Sequence, residues 1–276
     1  EVMSMVPIGA AVTDGYNAGH GLPFDSEGMK KRYPDIFFSQ FTGAELVADK
    51  WNLSREDLDQ FALESHQKAA QATESKYFDR EILPVEGKNA EGINGLVMAD
   101  EGIRFDASLD KLAGLNPVTE GGKITAGNAS QITDGAAAVL ICNDVGLKKI
   151  KSNPRAEIVS ISVVGDDPVF MLTGPIPASH KALDIAKLSI EDMDIYEVNE
   201  AFAPVPLAWA EELKADRNKL NVNGGAMALG HPLGATGAKL MTTMLHELER
   251  REGNYALQAI CEGGGTANAT IIKRIA

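Results

Sequence analysis

Residues 221–239 read NVNGGAMALGHPLGATGAK. The pattern predicts a strand end, a tight turn at Gly224 and Gly225, and a helix that His231 and Pro232 open, because glycine permits tight turns and proline is tolerated in a helix's first turn. Imidazolium is disfavoured at the positive end of a helix dipole, so we predict that His231 is a neutral imidazole able to act as a base. A capping histidine without a chemical role fits the same pattern.

The composition is ordinary for a globular chain. Of the 276 residues, 44% are hydrophobic and 24% are charged, which allows a sizeable core and two domains. The net charge of −13 argues against a nucleic-acid-binding surface, which needs clustered basic residues. The two cysteines, Cys142 and Cys261, match no disulfide framework or paired zinc motif and favour a reducing compartment. We find no membrane-spanning run and no signal-peptide pattern.

The second half of the chain alternates between strand and helix patterns, which predicts a layered α/β domain. Asn153 and Pro154 mark its boundary. The predicted strands cover residues 156–164, 195–198, 220–222, 255–262 and 266–274, and the predicted helices cover residues 177–188, 200–213 and 232–250.

The first half is less regular. Residues 8–40 are rich in glycine and proline, which predicts loops. A helix is expected from Thr42, and a longer one runs to about Lys76 from a capping box formed by Ser54 and Asp57. Its apolar stripe consists of Leu58, Phe61, Ala62, Ala69 and Ala72.

Four further local predictions concern this half. His66 lies among polar residues of the long helix, so we expect it to be solvated. Residues 81–86 predict an edge strand. The apolar run Ala136–Cys142 predicts a strand in which the Cys142 thiol is packed, and Asp144–Lys151 predicts a short charged helix.

A second informative stretch is YEVNEAF, residues 196–202. A short apolar strand ends at Asn199 and Glu200, and polar side chains at such an end point into the crevice where α/β proteins bind ligands. The alternatives are that Asn199 is only a helix N-cap and that Glu200 only complements a helix dipole.

A third stretch is YALQAICEGGGT, residues 255–266, where an apolar strand delivers Cys261 to three glycines. Three glycines cost conformational entropy, so bare backbone is expected to be needed there, with N–H groups aimed at an oxygen anion. Beside such donors the pKa of the Cys261 thiol is expected to be lowered. The alternative is a buried cysteine before a turn.

These three strand ends should converge. A set of His231, Cys261 and Asn199 suits acyl transfer or carbanion chemistry at a thioester. Metal binding is disfavoured because no carboxylate or second cysteine has ligand spacing. The glycines from Gly225 to Gly230 lack the Lys-Ser/Thr pair that a nucleotide triphosphatase needs.

Six motifs together resemble the thiolase family, the acetyl-CoA acyltransferases. They are ITAGNAS (124–130), DGAAA (134–138), MLTGPIPA (171–178), NEAF (199–202), NVNGGAMALGHPLGATGA (221–238) and CEGGG (261–265). The resemblance implies an α/β thiolase fold of α-β-α-β-α layers. Residues 1–132 would then be the loop domain, 133–153 the returning segment of the N-terminal half, and 154–276 the C-terminal domain.

The resemblance also implies roles at the reacting centre. His231 would activate a thiol, and Cys261 would exchange the proton at the acetyl α-carbon. Asn199 would hold a water that forms an oxyanion site with His231, and Gly263 would lie in the glycine nest.

Coenzyme A would be the co-substrate, with no tightly bound cofactor. Ser130, Met171 and Phe202 fall where the family lines the pantetheine channel, and Arg104 falls where it meets the nucleotide end. Structural alternatives are a turn hydroxyl for Ser130, core packing for Met171 and a surface charge for Arg104.

The chain departs from the family pattern. The family's nucleophile is a third cysteine in an N-terminal half-domain, and neither cysteine here has that context, so a region of about 100 residues is expected to be missing and the chain alone to lack the acyl-enzyme step. Ser39-Gln40-Phe41 stands where biosynthetic members have His-Met-Gly, and Thr119 stands where an aromatic residue is common. Both changes favour a degradative enzyme with a bulkier substrate.

We therefore predict thiolytic cleavage of 3-ketoacyl-CoA by CoA to acetyl-CoA and a shortened acyl-CoA, or the reverse condensation, in fatty acid β-oxidation or related lipid metabolism. A homodimer or homotetramer in the cytoplasm or another reducing compartment is expected. The alternatives are a biosynthetic acetoacetyl-CoA thiolase, a ketoacyl synthase-like condensing enzyme and a non-catalytic CoA-binding subunit.

Overall fold

The computed structural model describes residues 1–88 and 92–275. Its helices are α1 (Ala10–Asn17), α2 (Glu27–Arg32), α3 (Gln40–Lys50), α4 (Arg55–Glu74), α5 (Leu109–Ala113), α6 (Asp144–Ile150), α7 (Pro175–Ala186), α8 (Pro204–Leu213), α9 (Ala226–Leu229) and α10 (Thr236–Arg251). Its strands are β1 (Val85–Lys88), β2 (Asn94–Val97), β3 (Ala156–Gly165), β4 (Ile195–Val198), β5 (Tyr255–Glu262) and β6 (Thr266–Arg274).

The main sheet has the strand order β3-β6-β5-β4. The β3–β6 and β5–β6 pairs are antiparallel, and β4 and β5 are parallel. The strand predicted at residues 220–222 is reduced to isolated bridges, one of which joins Leu220 to Tyr196. Strands β1 and β2 form a separate antiparallel hairpin.

The two faces of the sheet are both covered by helices. On β5, Leu257, Ala259 and Cys261 belong to the core that includes residues of α7 and α8. Ala256 belongs instead to a cluster with Met244 and Leu248 of α10. Because side chains alternate along a strand, this division confirms the predicted layered α/β domain.

Helix α4 begins as predicted. The Ser54 hydroxyl accepts a hydrogen bond from Asp57 N, and the Asp57 carboxylate accepts one from Ser54 N. The predicted apolar stripe of α4 is buried: Leu58, Phe61, Ala62, Ala69 and Ala72. Within residues 1–88 and 92–275, no helix combines the length and the hydropathy that crossing a lipid bilayer requires.

The loop prediction for residues 8–40 was wrong in part, because α1 and α2 lie there. Ser26 caps α2, because its hydroxyl accepts a hydrogen bond from Met29 N. The loop prediction relied on the glycine and proline content and overlooked this capping residue. The predicted strand Ala136–Cys142 was also wrong, since no strand is assigned there and Cys142 is exposed. An apolar run needs a neighbouring strand to become part of a sheet, and this run pairs with none among the described residues.

The prediction that His66 is solvated was wrong. The His66 imidazole is buried, and its Nδ1 accepts a hydrogen bond from Arg104 N at 3.1 Å. Burial, and after it the charge of Arg104, lowers the pKa of His66 to about 4. This histidine therefore serves as a neutral acceptor that holds residues 102–104 against α4.

The capping box of α4 gives a stability test. We expect Ser54→Ala to lower the free energy of unfolding by about 1 kcal/mol, because it removes the acceptor for an unpaired helix N–H. Urea denaturation measures the change. Ser152→Ala, at an exposed serine between α6 and β3, is the control and should be neutral. Equal stability of the two variants would contradict a capping role.

Candidate active site

Three side chains meet at one edge of the main sheet. Asn199 directly follows β4, and Cys261 lies near the end of the parallel neighbour β5. His231 lies between α9 and α10. Asn199 Nδ2 is 3.2 Å from His231 Nε2, and the Asn199 side chain is near enough to the Cys261 thiol to affect its pKa. The structure thus brings together the imidazole, thiol and carboxamide that the sequence singled out.

The hydrogen bonds define the tautomer of His231. Thr236 Oγ1 donates to Pro232 O at 2.9 Å and lies 2.6 Å from His231 Nδ1, so the hydroxyl accepts from Nδ1–H. His231 Nε2 therefore carries the lone pair and faces the Asn199 amide. Asn199 Oδ1 is buried and accepts no hydrogen bond from the described residues. The site has one open acceptor on the amide and one basic nitrogen beside it.

His231 is neutral, as predicted, but for a different reason. Helix α10 begins five positions later, at Thr236, so His231 does not open a helix. Burial, and after it the positive charge of Lys239, lowers the pKa of His231 to about 4. An imidazole with this pKa is uncharged at neutral pH and can accept a proton.

The expected lowering of the Cys261 pKa was wrong. Cys261 is buried, and burial raises the pKa of its thiol to about 12, although the Asn199 side chain acts in the opposite direction. Desolvation penalises a thiolate more than the nearby donors stabilise it. The resting sulfur is therefore a protonated thiol.

The glycine turn after β5 leaves space beside the thiol. Gly264 and Gly265 have φ values of 75° and 83°, which L residues rarely adopt. A Cβ at Gly265 would also lie 3.0 Å from two backbone carbonyl oxygens, whereas a Cβ at Gly263 would meet no atom within 4 Å. The turn thus needs glycine for its backbone shape, and it opens towards solvent at Gly263.

The four residues predicted to bind CoA are placed differently. Phe202 is buried and pairs through its backbone with Ala129, and Ser130 N donates to Ala201 O, so these two lie beside Asn199. Met171 is buried in the main core, and Arg104 is exposed. Phe202 and Ser130 thus lie beside the loop that follows Asn199, and Met171 belongs to the same buried cluster as Phe202 and Cys261.

Residues 128–131 join the two loops that carry the site. Ala203 N donates to Asn128 O, and Ser130 N donates to Ala201 O, both at 2.9 Å. On the other side, His231 N donates to Gln131 O at 3.1 Å. The Gln131 amide also donates to carbonyls of residues 102, 227 and 228. One extended segment therefore sets the separation between Asn199 and His231.

A buried carboxylate holds the start of α9. Glu200 is 1% exposed and accepts from Ser65 Oγ at 2.7 Å, Asn221 Nδ2 at 2.8 Å and Met227 N at 3.2 Å. Ser65 Oγ in turn accepts from Gly225 N. A Cβ at Gly225 would lie 2.3 Å from the Glu200 carboxyl carbon, so glycine is required there. Glu200 lies before α8, so the alternative that it only complements the dipole of a helix's first turn does not hold.

Sequence reasoning missed most of the residues that hold the site. Ser65 and Gln131 carry no local signal, because each acts through contacts with distant segments. Lys239 looks like an ordinary helix residue, yet its Nζ donates to Leu229 O at 2.6 Å. Thr236 could have been found, since a hydroxyl five positions after a histidine can reach its ring.

The fold and the site identify the class of protein. The family model for the thiolase N-terminal domain matches residues 1–145, and that for the C-terminal domain matches residues 152–274. The chain belongs to the thiolase family.

Three relatives illustrate the similarity. The chain is 54% identical over 274 residues to steroid 3-ketoacyl-CoA thiolase FadA6 of Mycobacterium tuberculosis, covering 99% of this chain and 66% of that protein. It is 45% identical to human mitochondrial 3-ketoacyl-CoA thiolase crystallised with CoA, with a TM-score of 0.81 over 85% of this chain and 58% of that one. A Bacillus anthracis acetyl-CoA acetyltransferase structure is 40% identical, with a TM-score of 0.82 over 88% of this chain and 61% of that one.

The chain spans 59–66% of the length of the first curated relatives that it matches. The solved structures confirm the predicted thiolase fold. The division at residues 132 and 153 stays a prediction.

The hydrogen bonds that the Glu200 side chain accepts give a second test. Glu200→Gln turns an amide N–H₂ towards groups that are all donors, so we expect a loss of about 1–3 kcal/mol for each buried donor left unsatisfied. Hydrogen exchange of residues 221–231 should accelerate, as measured by mass spectrometry. The control is Glu211→Gln, which makes the same change at an exposed residue of α8. Unchanged hydrogen exchange in Glu200→Gln would contradict the role of Glu200 in holding the start of α9.

Proposed function

We propose that this chain carries the carbon–carbon bond-cleaving site of a degradative 3-ketoacyl-CoA thiolase. The observation that supports this most directly is that Asn199 contacts His231 and lies at the same sheet edge as Cys261, so that a neutral base and a protonated acid are brought together. Thiolytic cleavage needs these two groups, because one thiol must lose a proton while a carbon gains one.

His231 accepts the proton of the attacking thiol at Nε2. The Nδ1–H bond to Thr236 holds the ring so that this nitrogen faces the site. The resulting thiolate attacks the 3-keto carbon of the substrate and forms a tetrahedral oxyanion. Backbone or amide N–H groups stabilise such an oxyanion when they are fixed before the reaction.

Cys261 acts at C2 of the substrate, the carbon that leaves as part of acetyl-CoA. When the bond between C2 and C3 breaks, its electron pair passes to C2 as a thioester enolate. The Cys261 thiol donates its proton to C2 and yields acetyl-CoA, and the proton that His231 took up returns the sulfur to the thiol form. The proton of the attacking thiol thus ends on the acetyl group, and no redox step is needed.

Gly263 and Asn199 complete the set. The open side of Gly263 leaves room for the thioester oxygen near the backbone of the glycine turn, while the Asn199 amide lies beside His231. We propose that Asn199, through a water, and His231 form one oxyanion site, and that the glycine turn contributes to another.

Coenzyme A is proposed as the co-substrate, with no tightly bound cofactor. Phe202 and Ser130 are next to the reacting groups and are proposed to line the pantetheine channel with Met171, while Arg104 is proposed to meet the nucleotide. The similarity to a human thiolase crystallised with CoA supports this assignment.

The aromatic pair at the channel favours a substrate larger than acetoacetyl-CoA. Phe41 follows the start of α3, and its ring lies 5.5 Å from that of Phe202 in a T-shaped arrangement. An apolar wall of this kind favours longer or ring-bearing acyl groups. The 54% identity to a thiolase named for steroid 3-ketoacyl-CoA supports the same direction.

We also propose a homodimer or homotetramer in the cytoplasm or another reducing compartment. Large apolar side chains such as Phe37 and Leu140, each 77% exposed, support a covered surface. The exposed Cys142 thiol suits a reducing environment.

Cys261→Ser tests the acid role. We expect exchange of the acetyl-CoA methyl protons in D₂O, a step that needs no acyl-enzyme, to fall by about 10²–10⁴-fold, because a hydroxyl is a much weaker acid here. Proton NMR measures the exchange, and calorimetry should show unchanged CoA binding. Cys142→Ser, at the exposed thiol, is the matched control and should keep full activity.

The rival functions give other results. CoA binding without exchange of the acetyl-CoA methyl protons in the wild-type protein would support a non-catalytic CoA-binding subunit. Near-wild-type exchange in Cys261→Ser would contradict the assignment of the acid and leave a ketoacyl synthase-like condensing site as the better explanation.

Phe41 tests the substrate class. We expect the wild-type chain to bind medium-chain and ring-bearing 3-ketoacyl-CoAs more tightly than acetoacetyl-CoA, as measured by calorimetry, and Phe41→Ala to reduce this preference about tenfold. The control is Phe37→Ala, at a ring that is 77% exposed. A wild-type preference for acetoacetyl-CoA would instead support a biosynthetic thiolase.

A further inference from the structure

The turn that delivers His231 is held at its carbonyl end by a lysine. Helix α9 is a single turn, and its last carbonyls lack partners within the helix. Lys239 Nζ donates to Leu229 O at 2.6 Å, two residues before His231. The Gln131 side-chain amide donates hydrogen bonds to the two preceding carbonyl oxygens, those of Met227 and Ala228. Lys239 is thus a charged side chain on α10 that binds the turn directly before His231.

Two side chains on one face of α10 make hydrogen bonds at or near His231. Lys239 lies three positions after Thr236 on α10, and residues at this spacing are neighbours on one face of a helix. Thr236 Oγ1 binds the imidazole at Nδ1, while the Lys239 ammonium binds the backbone just before it. The first turn of α10 therefore holds both the ring and the main chain of residue 231.

The ammonium lies in a largely buried setting. The Lys239 side chain is 24% exposed, and Asp100 Oδ2 lies 3.9 Å from its Nζ. Burial lowers the pKa of Lys239, and the surrounding carboxylates act in the opposite direction. They come from three segments, which carry Asp100, Glu81, and Glu197 with Glu200. The hydrogen bond to Leu229 O holds the lysine at a fixed position.

Few other charged groups surround the imidazole itself. Cys261, on β5, is a neutral thiol. From the N-terminal segment, the Glu1 carboxylate approaches Gly234, and Asp134 is bound by Ser4. Lys239 is the group whose charge opposes protonation of His231.

On the basis of the proposed function, we propose that Lys239 is a positioning residue that fixes the backbone of His231 through Leu229 O and adds a positive charge near its imidazole. The lysine acts through Leu229 and through its charge, without touching substrate.

The test is an NMR titration of histidine in the labelled protein, with the His231 signals assigned by a His231→Asn variant. In the wild type, we expect a neutral Nδ1–H tautomer across pH 5–8. In Lys239→Met, we expect the protonation constant of His231 to rise about tenfold, because the opposing charge is gone. Lys239→Arg keeps the charge and should restore the wild-type titration.

A matched control separates this effect from the loss of any lysine. Lys181, on α7, also donates from its Nζ to a backbone carbonyl, that of Val163 on β3, at 3.0 Å. Lys181→Met should leave the His231 titration unchanged. Where Lys239→Met does not fold, Lys239→Gln keeps a donor for Leu229 O without the charge and should give the same tenfold rise.

The outcome is independent of catalysis. A folded Lys239→Met or Lys239→Gln variant with a wild-type His231 titration would overturn the role of Lys239. A shifted titration in a protein that does not exchange the acetyl-CoA methyl protons would support the role of Lys239 and refute the proposed function. In the active protein, loss of the Lys239 charge should also move the acid limb of the pH–rate profile to higher pH, with KM for CoA unchanged.

Discussion

The site depends on the hydrogen bonding of residues 128–131 to both loops that carry the reacting groups. This segment binds the loop after β4 through Ala201 and Ala203, and it binds His231 N through Gln131 O. The sheet positions Asn199 and Cys261 on parallel neighbours, but His231 arrives on a loop, and loops are mobile unless they are tied down. Because acid–base chemistry tolerates little misplacement, a segment from the first half of the chain has to set the distance between the two loops.

A single physical cause explains the protonation states of the reacting pair. Burial disfavours charge on both groups, so it lowers the pKa of His231 to about 4 and raises the pKa of Cys261 to about 12. The resting site therefore holds a neutral base and a neutral acid instead of a thiolate–imidazolium pair. Burial also raises the pKa of Glu200, and the three donors that face its side chain act in the opposite direction.

Much of the fold was predictable, because its signals are local. The capping box at Ser54 and Asp57 and the strands of the main sheet appear where their patterns predicted them. The proximity of Asn199 to His231 and Cys261 was expected because neighbouring strand ends share one edge. The predictions failed where an apolar or polar pattern was taken as a guide to burial: the run ending at Cys142 is exposed, and His66 is buried. Burial depends on what packs against a segment, which a local pattern does not contain.

By itself, the sequence determined the α/β alternation, the glycine turns and the choice of His231, Cys261 and Asn199 as candidate reacting side chains, since each follows from signals that act over a few residues. Only the tertiary structure decided the tautomer of His231, the protonated state of Cys261 and the roles of Lys239 and Gln131. Ser65 and Glu200, 135 positions apart, form a hydrogen bond that no local pattern predicts. Hydrogen bonds and desolvation of this kind arise when distant segments come into contact, so their effects on charge and geometry exist only in the folded chain.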